Sequence, residues 1–120
     1  MAKLKATPKN FVEAQQALGT KSSVRLGNNT YLMRVAYDSQ IIIAVILHAT
    51  QIVRFYPDGR VTLHTGGYHT VTTKDRINQF IKGYVNQKNY AWFFTPRISD
   101  VLGGFARGKP VRFYDGINVA

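Results

Sequence analysis

Tyr31-Leu32-Met33-Arg34-Val35-Ala36-Tyr37-Asp38-Ser39-Gln40-Ile41-Ile42-Ile43-Ala44-Val45-Ile46-Leu47-His48 is the stretch on which the fold turns. Its first part alternates. Tyr31, Met33 and Val35 face one way and Leu32, Arg34 and Ala36 the other, as in a strand with one side against a core. Tyr37-Asp38-Ser39-Gln40 reads as a turn. Ile41 to His48 is apolar and β-branched on both faces, which predicts a central strand.

Outward from this pair the strand signals continue. Ile52 to Tyr56 reads as a third strand and Arg60 to Thr65 as a fourth, with Val61 and Leu63 on one face. Between them Pro57-Asp58-Gly59 is a tight turn: Pro presets φ, and Gly tolerates positive φ, so the two strands form a hairpin. Gly66-Gly67 ends the sheet. Thr72 or Thr73 is placed to cap a helix whose apolar face is Ile77, Phe80 and Ile81 and which stops near Gly83. Tyr84-Val85 and Tyr90 to Phe94 predict a further hairpin around Gln87-Lys88-Asn89. Residues 96 to 110 read as an irregular excursion, and Val111 to Tyr114 as a short last strand.

On the N-terminal side, Asn10 caps a helix and Glu13 completes a capping-box pattern. Phe11, Ala14, Ala17 and Leu18 fall on one face, and Gly19 is a natural stop. Residues 1–9 read as a mobile basic arm and residues 10–120 as a single domain. The expected fold class is α+β: mainly antiparallel sheet, five to seven strands, with two short helices packed on it.

Composition narrows the chemistry. The 120 residues contain no cysteine, which excludes disulfides, thiolate zinc sites and thiol nucleophiles. The longest apolar run, Ile41 to Leu47, is far short of a membrane span, and no apolar segment follows Lys3, Lys5 and Lys9 as in a signal peptide. A protein inside a cell, without a membrane partner, is the expectation. Sixteen Lys+Arg against six Asp+Glu give a formal charge of +10. Such an excess destabilises the fold by self-repulsion and points to a polyanionic or phosphate-bearing partner.

The most unusual motif is Gly66-Gly67-Tyr68-His69-Thr70-Val71-Thr72-Thr73-Lys74-Asp75-Arg76. Two glycines permit close backbone approach, and a threonine-rich helix start leaves N–H groups free. Lys74 and Arg76 in the first turn would add positive charge, together a phosphate site. The Walker spacing is absent. Asn28-Asn29-Thr30-Tyr31 is a polar turn leading into a strand, whose amides and ring face the same pocket in the functional reading. His48, His69, Tyr31 and Lys74 could assemble a metal-free phosphodiester-cleaving site, His48 and His69 exchanging protons and the cation stabilising a phosphorane. The structural alternative makes His48 a hydrogen-bonded strand end and His64 exposed. No metal site and no cofactor are expected. Aromatics interleave with Arg54, Arg60, Arg97 and Arg112, as in single-strand binders. Trp92 and Phe94 read as core, Tyr68 and Tyr90 as ligand-facing.

The succession Leu26-Gly27-Asn28-Asn29-Thr30-Tyr31-Leu32, Leu47-His48-Ala49-Thr50, Pro57-Asp58-Gly59, Gly66-Gly67 and Thr70-Val71-Thr72-Thr73-Lys74-Asp75-Arg76-Ile77-Asn78 resembles a family of small tailed-bacteriophage proteins of uncharacterised function. Phe113-Tyr114-Asp115-Gly116-Ile117 is also similar. The resemblance implies a viral protein acting in the cytoplasm of an infected bacterium, and implies no activity. Its polar positions, Asn28, Asn29, Thr30, Tyr31, His48, Thr50, Gly67, Thr70, Thr72, Thr73, Lys74 and Arg76, suit a ligand site. The leading expectation is a nucleic-acid-binding protein, and the second a nucleotide-binding pocket. The small nuclease and a structural role stay open, as does the oligomeric state.

Overall fold

The sheet is built by neighbours in sequence pairing with neighbours in space. A computed structural model describes residues 3–99 and 105–120. The chain runs α1 (Phe11–Leu18), β1 (Ser23–Gly27), β2 (Thr30–Tyr37), β3 (Gln40–Leu47), β4 (Thr50–Phe55), β5 (Val61–Leu63) and α2 (Val71–Asn78). It continues through β6 (Tyr84–Lys88), β7 (Ala91–Thr95), β8 (Arg97–Ser99), β9 (Phe105–Arg107), β10 (Val111–Arg112) and β11 (Ile117–Asn118). A six-stranded antiparallel sheet has the order β1-β2-β3-β4-β5-β11; β10-β7-β6 form a second sheet, and β8-β9 a hairpin of their own. The α+β class and the two short helices are as the sequence predicts. The eleven described strands exceed the expected five to seven because β1 and β8 to β11 are short or lie at edges, where alternation is weak.

Strand β3 is central, and register fixes what each face does. Leu32 pairs with Val45, and Val45 with Val53, so these positions and Phe55, Leu63 and Ile117 fall on one face. Ala14 and Leu18 of α1, Ile77 of α2 and Val85, Trp92 and Phe94 of the second sheet join them in one buried cluster. Burying each of the larger aliphatic and aromatic side chains contributes about 1.5–3 kcal/mol. Between Val45 and Ile46 the pairing of β3 with β4 shifts by one residue, a bulge that turns both Ile52 and Val53 inward.

The ends of α1 behave as read. Asn10 Oδ1 accepts from the Glu13 amide at 2.9 Å, Glu13 Oε1 accepts from the Lys9 amide at 3.1 Å, and Gly19 closes the helix at φ 61°. Residues 3–9, expected to be a mobile arm, are instead packed. Leu4 is buried in the core, the Lys5 amide donates to the Leu26 carbonyl, and Lys9 Nζ donates to the Gln79 carbonyl. A single leucine among lysines was the signal, too slight to separate from a basic tail. Part of the excursion expected over residues 96–110, residues 100–104, lies outside the described residues.

The other face of the large sheet carries His64, whose Nε2 lies 2.9 Å from Thr62 Oγ1. Burial holds its pKa below the ordinary 6.5, Arg54 pushes the same way, and Asp115 opposes them. Because the folded form is the weaker base, the unfolded chain takes up a proton first. Stability is therefore expected to be full above pH 6.5 and to fall on acidification through the lowered folded value. Melting temperatures across that range check this, and His64→Gln should flatten the slope there.

Candidate functional site

At the end of the sheet where β2 and β4 begin and β3 and β5 finish, the β3–β4 turn, the loop after β5 and the start of α2 line a cavity of about 510 Å³. Leu47 and Ile52 give it an apolar floor, and Tyr68 stands at its rim, largely exposed. The polar lining comes from His48, Thr50, Thr65, Thr70, Thr72 and Thr73. A volume of this size suits a nucleotide-sized molecule.

Each wall has a local cause. Leu47 pairs with Thr50, leaving His48-Ala49 as a two-residue turn in which His48 adopts φ 56°. Glycine is the usual residue in such a place, and a side chain there costs about 1–3 kcal/mol. The His48 amide donates to the Asn29 carbonyl at 2.8 Å, so the turn is tied to Asn28-Asn29, where Asn29 is also left-handed at φ 54°. His48→Gly is expected to stabilise the free protein by about 1 kcal/mol by relieving the backbone, while weakening ligand binding. Urea unfolding and ligand titration, read together, separate the two effects.

The opposite wall is the double-glycine loop. Thr65, fully buried, donates its amide and hydroxyl to Asp115 Oδ1 at 3.0 and 2.9 Å and accepts the Gly67 amide at 3.1 Å. Gly66 and Gly67 have φ 61° and 89°, and a β-carbon at Gly66 would press on Thr50 Cγ2 at 3.0 Å. Glycine is favoured at Gly66 by both angle and space.

The N-cap of α2 is Thr70, two residues before Thr72: its Oγ1 accepts from the Thr73 amide at 3.1 Å. Three threonines compete for this role, and the first one released from the glycine turn in extended conformation takes it. The amides of Val71 and Thr72 then have no carbonyl within the helix to donate to, at the positive end of its dipole. The earlier start makes Lys74 the fourth residue of the helix and puts Arg76 in its last turn, rather than placing both at the beginning.

Arg76 is the residue whose position the sequence did not indicate. It is 5% exposed; its Nη2 approaches the Asn28 carbonyl at 3.4 Å, and Nε and Nη1 have no hydrogen-bond partner. Helical side chains lean toward the N-terminus, which brings the guanidinium back toward the Thr73 level behind the Asn28-Asn29 turn. Both unpartnered nitrogens are sealed from solvent, so the charge of Arg76 is little screened where it sits against the Asn28-Asn29 turn.

The structure thus brings together His48, Tyr68, Thr70, Thr72 and Thr73 at the cavity; Gly66 lies against Thr50, Asn29 is hydrogen-bonded to His48, and Arg76 reaches Asn28. Thr30 is buried, its hydroxyl donating to the Asn28 carbonyl at 2.9 Å, and holds that turn. Tyr31 pairs with Ile46 and so projects from the face opposite Thr30. His69 packs its ring edge-on against Trp92 at 4.8 Å and Phe113 at 6.3 Å, and neither it nor Lys74 lines the cavity. The four groups named for phosphodiester cleavage are therefore not gathered at this cavity. Among the described residues, no group of three or more His, Cys, Asp or Glu could hold a metal ion, and no helix is long and apolar enough to cross a membrane.

Fold and site together define a small antiparallel α+β protein with a threonine-rich recess at one end of its sheet. The chain belongs to the Kyanoviridae Gp96 protein family, a phage family whose model matches residues 7–119. No curated protein and no solved structure matches it.

Proposed function

We propose that this phage protein is a binding protein whose recess captures a small phosphate-bearing molecule of nucleotide size. The observation that carries the reading is convergence. Two separated motifs, around residues 47–50 and 65–73, line one cavity; the Asn28-Asn29 turn is hydrogen-bonded to His48, and the buried Arg76 touches that turn with two of its nitrogens unpartnered. The free amides of Val71 and Thr72 suit phosphate oxygens, and the threonine hydroxyls and His48 suit a sugar or further phosphate. Leu47, Ile52 and the Tyr68 ring suit a flat base. Capture in the cytoplasm of the infected bacterium would remove a host nucleotide, including one used as a defence signal.

Thermal shift against adenosine and guanosine mono-, di- and triphosphates, cyclic nucleotides and inorganic phosphate tests this. One nucleotide class should raise the melting temperature, with weak salt dependence because the contacts are few and enclosed. Flat melting curves across the whole panel would count against the reading.

A further inference from the structure

We propose that the exposed aromatic and basic side chains on the second face of the large sheet form a separate surface for single-stranded nucleic acid. It is independent of the cavity reading, because it lies on the opposite side of the sheet. The buried apolar side chains of α1, α2 and the second sheet all belong to the cluster on the first face. On the second face Ile42, Ala44 and Tyr56 are buried yet stand outside that cluster, and Tyr31 and Tyr37 remain 38% and 40% exposed.

Two arginine–tyrosine pairs mark this face. Arg25 is the cross-strand partner of Tyr31, which places the two side chains about 5 Å apart at Cβ. Arg54 lies over the Tyr37 ring, its Cζ 4.8 Å from the centroid, and Tyr37 meets Tyr56 edge-on at 5.9 Å. Tyr31 and Tyr37 point the same way from β2, about 20 Å apart along the strand. Met33 and Val35, half-buried, lie between them. Each pair offers a ring on which a base can stack and a cation for the adjoining phosphate; the spacing spans a few nucleotides.

Charge selects the occupant. The strand positions on this face carry no carboxylate; Asp38 and Asp58 lie in turns, and Asp58 is already paired with Arg60 at 2.9 Å. A second copy of a chain of formal charge +10 would be repelled, whereas a polyanion is attracted. A duplex hides the faces of its bases from such rings, so the partner is single-stranded.

Fluorescence anisotropy with a labelled ten-nucleotide DNA or RNA strand, at low salt, is the test. The strand should bind, and its affinity should fall linearly with salt on logarithmic axes. Tyr31→Ala or Tyr37→Ala should weaken binding about 5- to 100-fold while the phenylalanine variants retain it. Arg25→Gln should reduce the salt slope, and Lys82→Gln, a charge lost elsewhere, should leave affinity nearly unchanged. Circular dichroism confirms that the variants fold, as expected for exposed positions. The proposal is overturned by absent binding at low salt, by equal or tighter binding of the matching duplex, or by indifference to the tyrosine changes. Self-association abolished by Tyr31→Ala would assign the face to a second copy instead.

Discussion

Arg76→Met is expected to make the free protein more stable and to abolish capture of the ligand. In the free protein the guanidinium is buried with two nitrogens unpartnered and only a 3.4 Å approach to the Asn28 carbonyl at the third. Taking a cation out of water costs several kcal/mol unless charge and hydrogen bonds offset it, and here little does. Methionine matches much of the stem's volume, adapts its shape and removes the uncompensated charge. Comparable replacements of buried ionic groups stabilise by about 1–4 kcal/mol, and the urea midpoint should rise accordingly. Binding moves the other way, because the field that favours an anion at the α2 start is gone. Losing such a charge-assisted contribution should weaken affinity about 10- to 100-fold. A variant that loses stability and keeps its affinity would contradict both halves.

Asp115→Ala is expected to destabilise the fold by about 2–4 kcal/mol and to open the cavity wall. The carboxylate accepts the amide and hydroxyl of fully buried Thr65, at 3.0 and 2.9 Å, and Thr65 in turn holds the Gly67 amide. Alanine leaves two buried donors unmatched. The Gly116 amide, donating to the Leu63 carbonyl at 2.7 Å, still tethers the chain nearby, so the loss should be local before it is global. Chemical unfolding measures the cost, and faster amide exchange at residues 65–68 would show the loosened loop. Asp115→Asn keeps one acceptor and should cost less.

The sheet was legible because its signals are local. Alternation in Tyr31 to Ala36, the apolar run Ile41 to Leu47 and the Pro57-Asp58-Gly59 turn each act within a few residues. Strand β1 escaped because Ser23 to Gly27 has weak alternation beside an arginine, and the docking of Leu4 because one contact decides it. At the site, the sequence singled out the His48 turn and the double-glycine segment, which both line the cavity, but not which side chains look inward. Thr30 and Tyr31 are adjacent, yet pleating sends one into the core and the other to the far face. His69 follows the glycines, yet Trp92 captures its ring. Arg76 was expected as a surface cation at a helix start; the choice of Thr70 as cap shifted it into the last, buried turn, and nothing short of the tertiary contact with Asn28 foretells that.

The most direct measurement for the cavity reading is an amide NMR titration of the whole protein with adenosine and guanosine phosphates and, separately, inorganic phosphate. Concerted shifts are expected at His48, Ala49, Tyr68, Val71 and Thr72, absent in Arg76→Met. Shifts confined to other surfaces, or no saturable shifts with any of these probes, would contradict the cavity reading.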